Sequence, residues 1–376
     1  MTYNDVLARE LKADVKVLIR DYLKSHEDEQ QFPRELLYQF IEQFDIFSLL
    51  LDSQDSVLRT EFLTFIRLIS KDFPAFSAVL LTQACYGIYP ILRYGSQEQK
   101  SRYVEPLVRG EILAGLGFSE GKLMDSLEVI ATTARKTETG WSLTGKKSIV
   151  SNCRYTDILL ILAKVQEANG EDGYGFFIVD TTRPGVAFGD DIAKPGLQGL
   201  PVNSVTFDQV ILPEDSLLGL TLNGETQLND IIKKLQLGLS AISIGISEGA
   251  FETGLAFETG LAFVKVKRRF GKPLIDATVY QHQFADLYTK LCAAESYFAS
   301  YKDRMKADSL FVSQIKLYTT KVAIEISEEI IRLIGPLQTL DDIPIDRYLK
   351  DAKTIEIYGK SGDSIRKRIA AQWIKE

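Results

Sequence analysis

Apolar residues recur at helical spacing up to about residue 110, at strand spacing from 111 to 219, and at helical spacing again from 220 onward. In the first stretch, DVLARELKADVKVLIRDYL, PRELLYQFIEQFDIFSLLL and VLRTEFLTFIRLISKDF each repeat apolar positions every three or four residues. The middle stretch is built differently. Runs such as ILAGLGFS, DILLILAKV, GYGFFIVD and SVTFDQVIL are short and β-rich, and glycine, proline and acidic turn residues separate them. Several strands at that spacing predict a small β-barrel. The last stretch predicts long helices over 226–268, 277–306, 308–335 and 341–358, then another from about 363. Long amphipathic helices with short connections form a four-helix bundle. The fold class expected is therefore α+β multidomain: an N-terminal α-helical domain (1–110), a middle β-barrel domain (111–219) and a C-terminal four-helix bundle (220–376). At 376 residues the chain is too long for one compact core, which agrees with that division.

Charge and rare residues narrow the function classes. A net charge of −7 supplies no basic field for nucleic acid. Three cysteines far apart and two histidines make neither a disulfide framework nor a Cys/His metal site, so no metal is expected. The charged start MTYNDVLARELKADVK is not a signal peptide, and no membrane span is expected. A cytoplasmic protein fits these features.

Two local features stand out. FETGLA at 251–256 recurs at once at 257–262. Six residues turn a helix by about 240° net, so a kink or bulge is expected there. Near the end, DAKTIEIYGKSGDSIR breaks one helix at Gly359-Lys360-Ser361-Gly362 and restarts it with Asp363 in capping position.

Five segments, in order, resemble the signatures of the acyl-CoA dehydrogenase family: YGSQEQKSRYVEPLVRGEILAG (94–115), GWSLTGKKSIVSN (140–152), GLQGLPVNSVTFDQVILPEDSLLG (196–219), RRFGKPL (268–274) and RYLKDAK (347–353). The resemblance spans nearly the whole chain. It implies FAD bound between barrel and bundle, an acyl thioester as substrate (on CoA or an acyl carrier protein), a homodimer or homotetramer, and an electron-transfer partner. It also implies a glutamate base, which in the family follows the Ile-Tyr of the last break or sits on the first bundle helix. Those positions here are Gly359 and, with the duplication treated as an insertion, Leu235. Neither takes a proton. Glu356 and Asp363 are the nearest carboxylates in sequence. Gly359→Glu is expected to restore the base on a backbone that in relatives accommodates one.

The same resemblance assigns the flavin contacts. Phe118, Ser119, Asp125 and Ser126 fall on the strand that holds the flavin edge and a phosphate; Asp125 stands where a small residue approaches the pyrophosphate. Ile149 replaces a tryptophan that covers the rings, and Ser151 keeps the hydroxyl facing flavin N5. Lys267, Arg269, Phe270, Arg332, Gly335 and Ser361 fall on the adenosine half, partly across a subunit contact. The implied function is a flavin-dependent oxidoreductase on an acyl thioester, with ordinary α,β-dehydrogenation opposed by Gly359. The alternatives are a non-catalytic relative that binds an acyl thioester or a partner, and a flavin-dependent monooxygenase.

Overall fold

The computed structural model describes residues 3–26, 31–51, 58–121, 127–166, 173–258, 277–302, 309–334 and 345–374. The duplicated FETGLA is outside them from residue 259 on; its first copy continues a regular helix. The N-terminal region is helical: α1 (Tyr3–Ser25), α2 (Arg34–Phe44), α3 (Thr60–Ile69), α4 (Pro74–Thr82), a π-helical turn (Gln83–Ile88), α5 (Tyr89–Tyr94) and α6 (Gln97–Val108). α6 starts on a capping box, in which Ser96 and Gln99 satisfy each other's backbone N–H groups. The run Pro74–Tyr94 is long and apolar enough to cross a membrane, but 89% of its apolar window is buried inside the protein. It is a core element.

Seven strands follow: β1 (Ala114–Gly117), β2 (Thr133–Thr137), β3 (Gly140–Ser151), β4 (Ile158–Gln166), β5 (Gly173–Asp180), β6 (Val186–Asp191) and β7 (Val202–Pro213). They form one curled sheet in the order β1-β4-β2-β3-β7-β6, with β5 on the other side of β4. β4 pairs in parallel with β1 and then β2, so it spans the sheet from one end to the other. Inside the curl, Trp141, Leu143, Phe177, Val205 and Phe207 make a core of their own. This is the period-2 pattern of the sequence turned inward.

The C-terminal helices are α7 (Gly224–Glu258), α8 (Thr278–Ala299), α9 (Ser309–Ile334), α10 (Ile345–Ile357) and α11 (Gly362–Ile374). Their buried faces merge with those of α3, α4 and α5 into one continuous core. The loop after β6 is tied to α10 by buried polar contacts. Asp351 accepts the Leu197 backbone N–H at 2.6 Å, and Thr354 accepts that of Gly196 at 3.0 Å. Gly196 permits this because an added Cβ would sit 2.4 Å from the Lys350 carbonyl. The sheet is thereby held against the end of the bundle where the last helix break lies.

Candidate functional site

A cavity of about 710 Å³ opens between the sheet and that break. The sheet contributes Leu116, Phe118, Ser119, Ile149 and Ser151; the break contributes Ile357 to Ser361. Ser119 and Ile149 are brought side by side by an antiparallel bridge, reinforced by the Ser148 N–H donating to the Ser119 carbonyl at 2.8 Å. The third wall is one face of α7. Glu225, Leu228, Asn229 and Ile232 line the cavity at helical spacing, and Leu235 and Leu239 continue the stripe behind it.

Next to Ser119 the sheet carries a buried ion pair. Lys147 is 0% exposed and donates to Glu120 at 2.6 Å. Glu120 also accepts the Thr132 hydroxyl and the backbone N–H groups of Ala131 and Thr132. Burial pulls its carboxyl pKa upward, but these donors outweigh burial and hold it below the usual range. The pair is saturated, so its role is to fix the strand that carries Ser119.

The break itself is held from below by buried polar groups. Lys316 of α9 donates to the carbonyls of Glu356 at 2.6 Å and Lys360 at 3.0 Å. Gln236 of α7 donates to the Gly359 carbonyl at 2.9 Å, and Ser313 donates to Gln236 at 2.7 Å. These are the carbonyls a helix end leaves unpaired. The cap of α11 differs from the expectation: Ser361, not Asp363, accepts the Ser364 backbone N–H, at 3.3 Å, and Asp363 pairs with Arg366 at 3.0 Å.

Gly359 has φ +63° and Lys360 φ +83°. A Cβ on Gly359 would meet Leu239 Cδ1 at 2.7 Å and Leu235 Cδ2 at 3.1 Å. The two positions assigned to the base by resemblance therefore converge on one spot, and leucines fill it. This corrects the expectation that the backbone here accommodates a glutamate. Among the described residues, Glu356 and Asp363 do not line the cavity, and the carboxylates that do are Glu128 and Glu225. Glu225 lies about 15 Å along α7 from Leu235 at 1.5 Å per residue.

Tyr86 and Tyr358 were not singled out in the sequence. Tyr86 reaches the cavity from the π-helical turn and donates to the Tyr358 hydroxyl at 3.3 Å. Ser151 hydrogen-bonds Tyr358 from the sheet side. Burial raises both phenols, Tyr358 to about 12 and Tyr86 well above the ordinary tyrosine value.

Of the sequence-assigned residues, Phe118, Ser119, Ile149, Ser151, Gly359 and Ser361 line this one cavity. Leu235 is fully buried behind Gly359. Arg332 is elsewhere, near the end of α9, where it pairs with Glu329. Asp125, Ser126, Lys267, Arg269, Phe270 and Gly335 lie outside the described residues.

The chain matches three family models in order: the acyl-CoA dehydrogenase N-terminal domain over residues 7–111, its middle domain over 115–210 and its C-terminal domain over 233–374. The chain belongs to the acyl-CoA dehydrogenase family. Among curated relatives, it is 27% identical over 290 residues to a 3-(aryl)acrylate reductase of Clostridium sporogenes, covering 76% of this chain and 75% of the relative. It is 28% identical over 316 residues to a cyclohexane-1-carbonyl-CoA dehydrogenase of Geobacter metallireducens, covering 83% and 81%. A glutaryl-CoA dehydrogenase from Mycobacterium smegmatis, solved in complex with FADH2, shares the fold at TM-score 0.85 and 20% identity over 99% of this chain and 95% of its own.

The cavity suits the ring half of a flavin as an acyl-CoA dehydrogenase uses it. Its volume is within the range of small-molecule sites, about 300–1,000 Å³. Leu116, Phe118, Ile149, Leu228 and Ile232 offer apolar surface for ring faces, while Ser119 and Ser151 offer hydroxyls for a polar edge.

Proposed function

We propose that this chain binds FAD and an acyl thioester in the cavity and that it is a poor α,β-dehydrogenase at neutral pH. One observation carries the reading: Gly359 and Leu235 meet at a single spot, filled by Leu235 and Leu239, with no carboxylate there. Bound flavin supplies two-electron chemistry. Phe118 and Ile149 would cover its rings, Ser119 and Ser151 would hold its polar edge, and the Gly359 backbone N–H would polarise the thioester carbonyl. General-base catalysis contributes typically about 10²–10⁴-fold, and its loss sets the size of the defect. The relatives named above are a reductase and a dehydrogenase, so the family supports both directions. A cytoplasmic homodimer or homotetramer receiving its thioester from CoA or an acyl carrier protein, with an electron-transfer partner, completes the reading.

Absorption of the purified protein tests flavin binding, and dye-linked oxidation of acyl-CoAs over several chain lengths tests the rest. Flavin bands with slow oxidation are expected. A colourless protein that takes up no FAD, or fast oxidation, overturns the proposal. Two like charges about 4 Å apart repel by about 4 kcal/mol at an effective dielectric near 20, so an aspartate at position 125, assigned by resemblance to the pyrophosphate contact, is expected to weaken FAD binding. Asp125→Ser is expected to raise FAD retention and Lys267→Ala to lower it, as read by titration. If neither moves affinity, the cofactor assignment is wrong.

A further inference from the structure

The α7 wall of the cavity changes character along its length. Ile232 and Leu228 are buried, and about one turn nearer the helix start Glu225 is exposed and still lines the cavity. Glu128 lines it too, and the remaining charged group among the described lining residues is Lys360, back at the break. A long helix offers free N–H groups and the positive end of its dipole at its N-terminus, which favours a phosphate there. α7 starts at Gly224, close against the cavity wall: an added Cβ would sit 2.8 Å from the backbone carbonyl carbon of Tyr174, another lining residue. Glu225 puts the chain's own anion into that first turn. Its carboxylate has no ion pair or hydrogen bond among the described residues.

The distance gives that carboxylate a meaning. Glu225 lies about 15 Å along α7 from Leu235, the leucine packed behind Gly359. A pantetheine arm has about fourteen bonds from its thioester carbonyl to its first phosphorus. At the reach of a peptide chain, about 3.3–3.6 Å per three bonds, that is about 16 Å. A thioester carbonyl at the Gly359 N–H, with its arm along α7, brings its first phosphate to Glu225. We propose that Glu225 selects the carrier, and that the ligand class is an acyl group on a pantetheine arm of low charge, as on a carrier protein, in preference to CoA. This rests on the proposed function, which leaves the carrier open. CoA brings about four negative charges, two on its diphosphate and close to two on its 3′-phosphate, whereas a carrier protein's arm brings the single charge of a phosphodiester. Two like charges about 4 Å apart in water repel by an amount worth about fivefold in affinity, and every further phosphate adds to it. Glu225 acts on the carrier and not on the reacting carbon, so its effect falls on affinity.

Three thioesters of one acyl group test this on the FAD-loaded protein: crotonyl-pantetheine with no phosphate, crotonyl-dephospho-CoA with the diphosphate alone, and crotonyl-CoA. Binding is read by the change in flavin absorbance on titration. Wild type is expected to bind the pantetheine thioester most tightly and the CoA thioester most weakly. Glu225→Gln is expected to tighten crotonyl-CoA about fivefold and to leave crotonyl-pantetheine within about twofold. Because Glu225 is exposed, the substitution removes a charge without opening the core. Salt gives a second reading on the unaltered protein. From about 0.01 to 1 M the Debye length shrinks from about 30 to about 3 Å, so crotonyl-CoA is expected to bind wild type more tightly while crotonyl-pantetheine gains no such advantage. A wild type that prefers crotonyl-CoA, with Glu225→Gln showing the same preference, overturns this inference and leaves the proposed function standing. A flavin-loaded protein that binds none of the three overturns the proposed function and this inference with it.

Discussion

At the scale of single residues, the space around Gly359 decides what a carboxylate there can do. Gly359→Glu asks a glutamate to adopt φ +63°, at about 1–2 kcal/mol, and pushes its Cβ into Leu239 Cδ1 at 2.7 Å, an overpacking of about 1–3 kcal/mol more. The single substitution is therefore expected to lower the melting temperature and to leave acyl-CoA oxidation near wild type. Gly359→Glu with Leu239→Ala removes the clash and is expected to raise oxidation well above either single variant in the dye-linked assay. Equal activity in the single and double variants would show that the leucine does not block the carboxylate. Much of this site was legible beforehand, because Ser119, Ile149, Ser151 and Gly359 sit in motifs whose order fixes their place. The blockage was not legible. It depends on which way the Gly359 Cβ vector points, and a positive φ is a property of the folded turn.

Among elements, the helix break is the part whose construction shows least in the sequence. Lys316 looks like an ordinary charged position on a long amphipathic helix, yet it is 0% exposed and spends its donors on the carbonyls of Glu356 and Lys360. Gln236 likewise reads as a neutral polar residue of α7 and proves to be the donor to Gly359. Tyr86 leaves no mark in the sequence pattern because a π-helical turn shifts side chains off the 3.6-residue register. By contrast the helix–strand–helix order was plain, since periods of 3.6 and 2 leave distinct apolar patterns. Gln236→Leu isolates the role of the break. Ser313 keeps a second acceptor in the Ser309 carbonyl at 3.0 Å, so the Gly359 carbonyl is the buried group left unpaired. The expected loss is about 1–3 kcal/mol in denaturant unfolding, with weaker FAD binding because the cavity wall loosens. Unchanged FAD affinity alongside the stability loss would confine Gln236 to folding.

For the molecule as a whole, buried lysines give stability a definite dependence on pH. Burial pushes the Lys316 amine down to about 7, only partly opposed by Glu356. Burial and the neighbouring Lys233 push Lys234 down to about 8, and its ammonium lies 5.4 Å from the Tyr89 ring centre. Burial likewise pushes Lys147 down to about 8, only partly opposed by its hydrogen bond to Glu120. An unfolded lysine keeps its proton to about 10.4, so between about pH 7 and 10 the unfolded chain binds more protons than the folded one. Stability therefore rises with pH across that window, by up to about 1.4 kcal/mol per unit for each lysine. Below about pH 7 all three amines are charged in both states and the slope vanishes. Above pH 10 the sign reverses, because Tyr86, Tyr94 and Tyr358 keep protons in the fold that the unfolded chain gives up. Lys316→Met removes one of the three rising contributions. In urea unfolding at pH 7, 8 and 9, the variant is expected to be less stable at pH 7, where the break loses its donor, and to gain stability less steeply than wild type. Parallel curves for the two proteins would mean that Lys316 keeps its ordinary pKa in the fold, and that its charge is met by a group other than the two carbonyls.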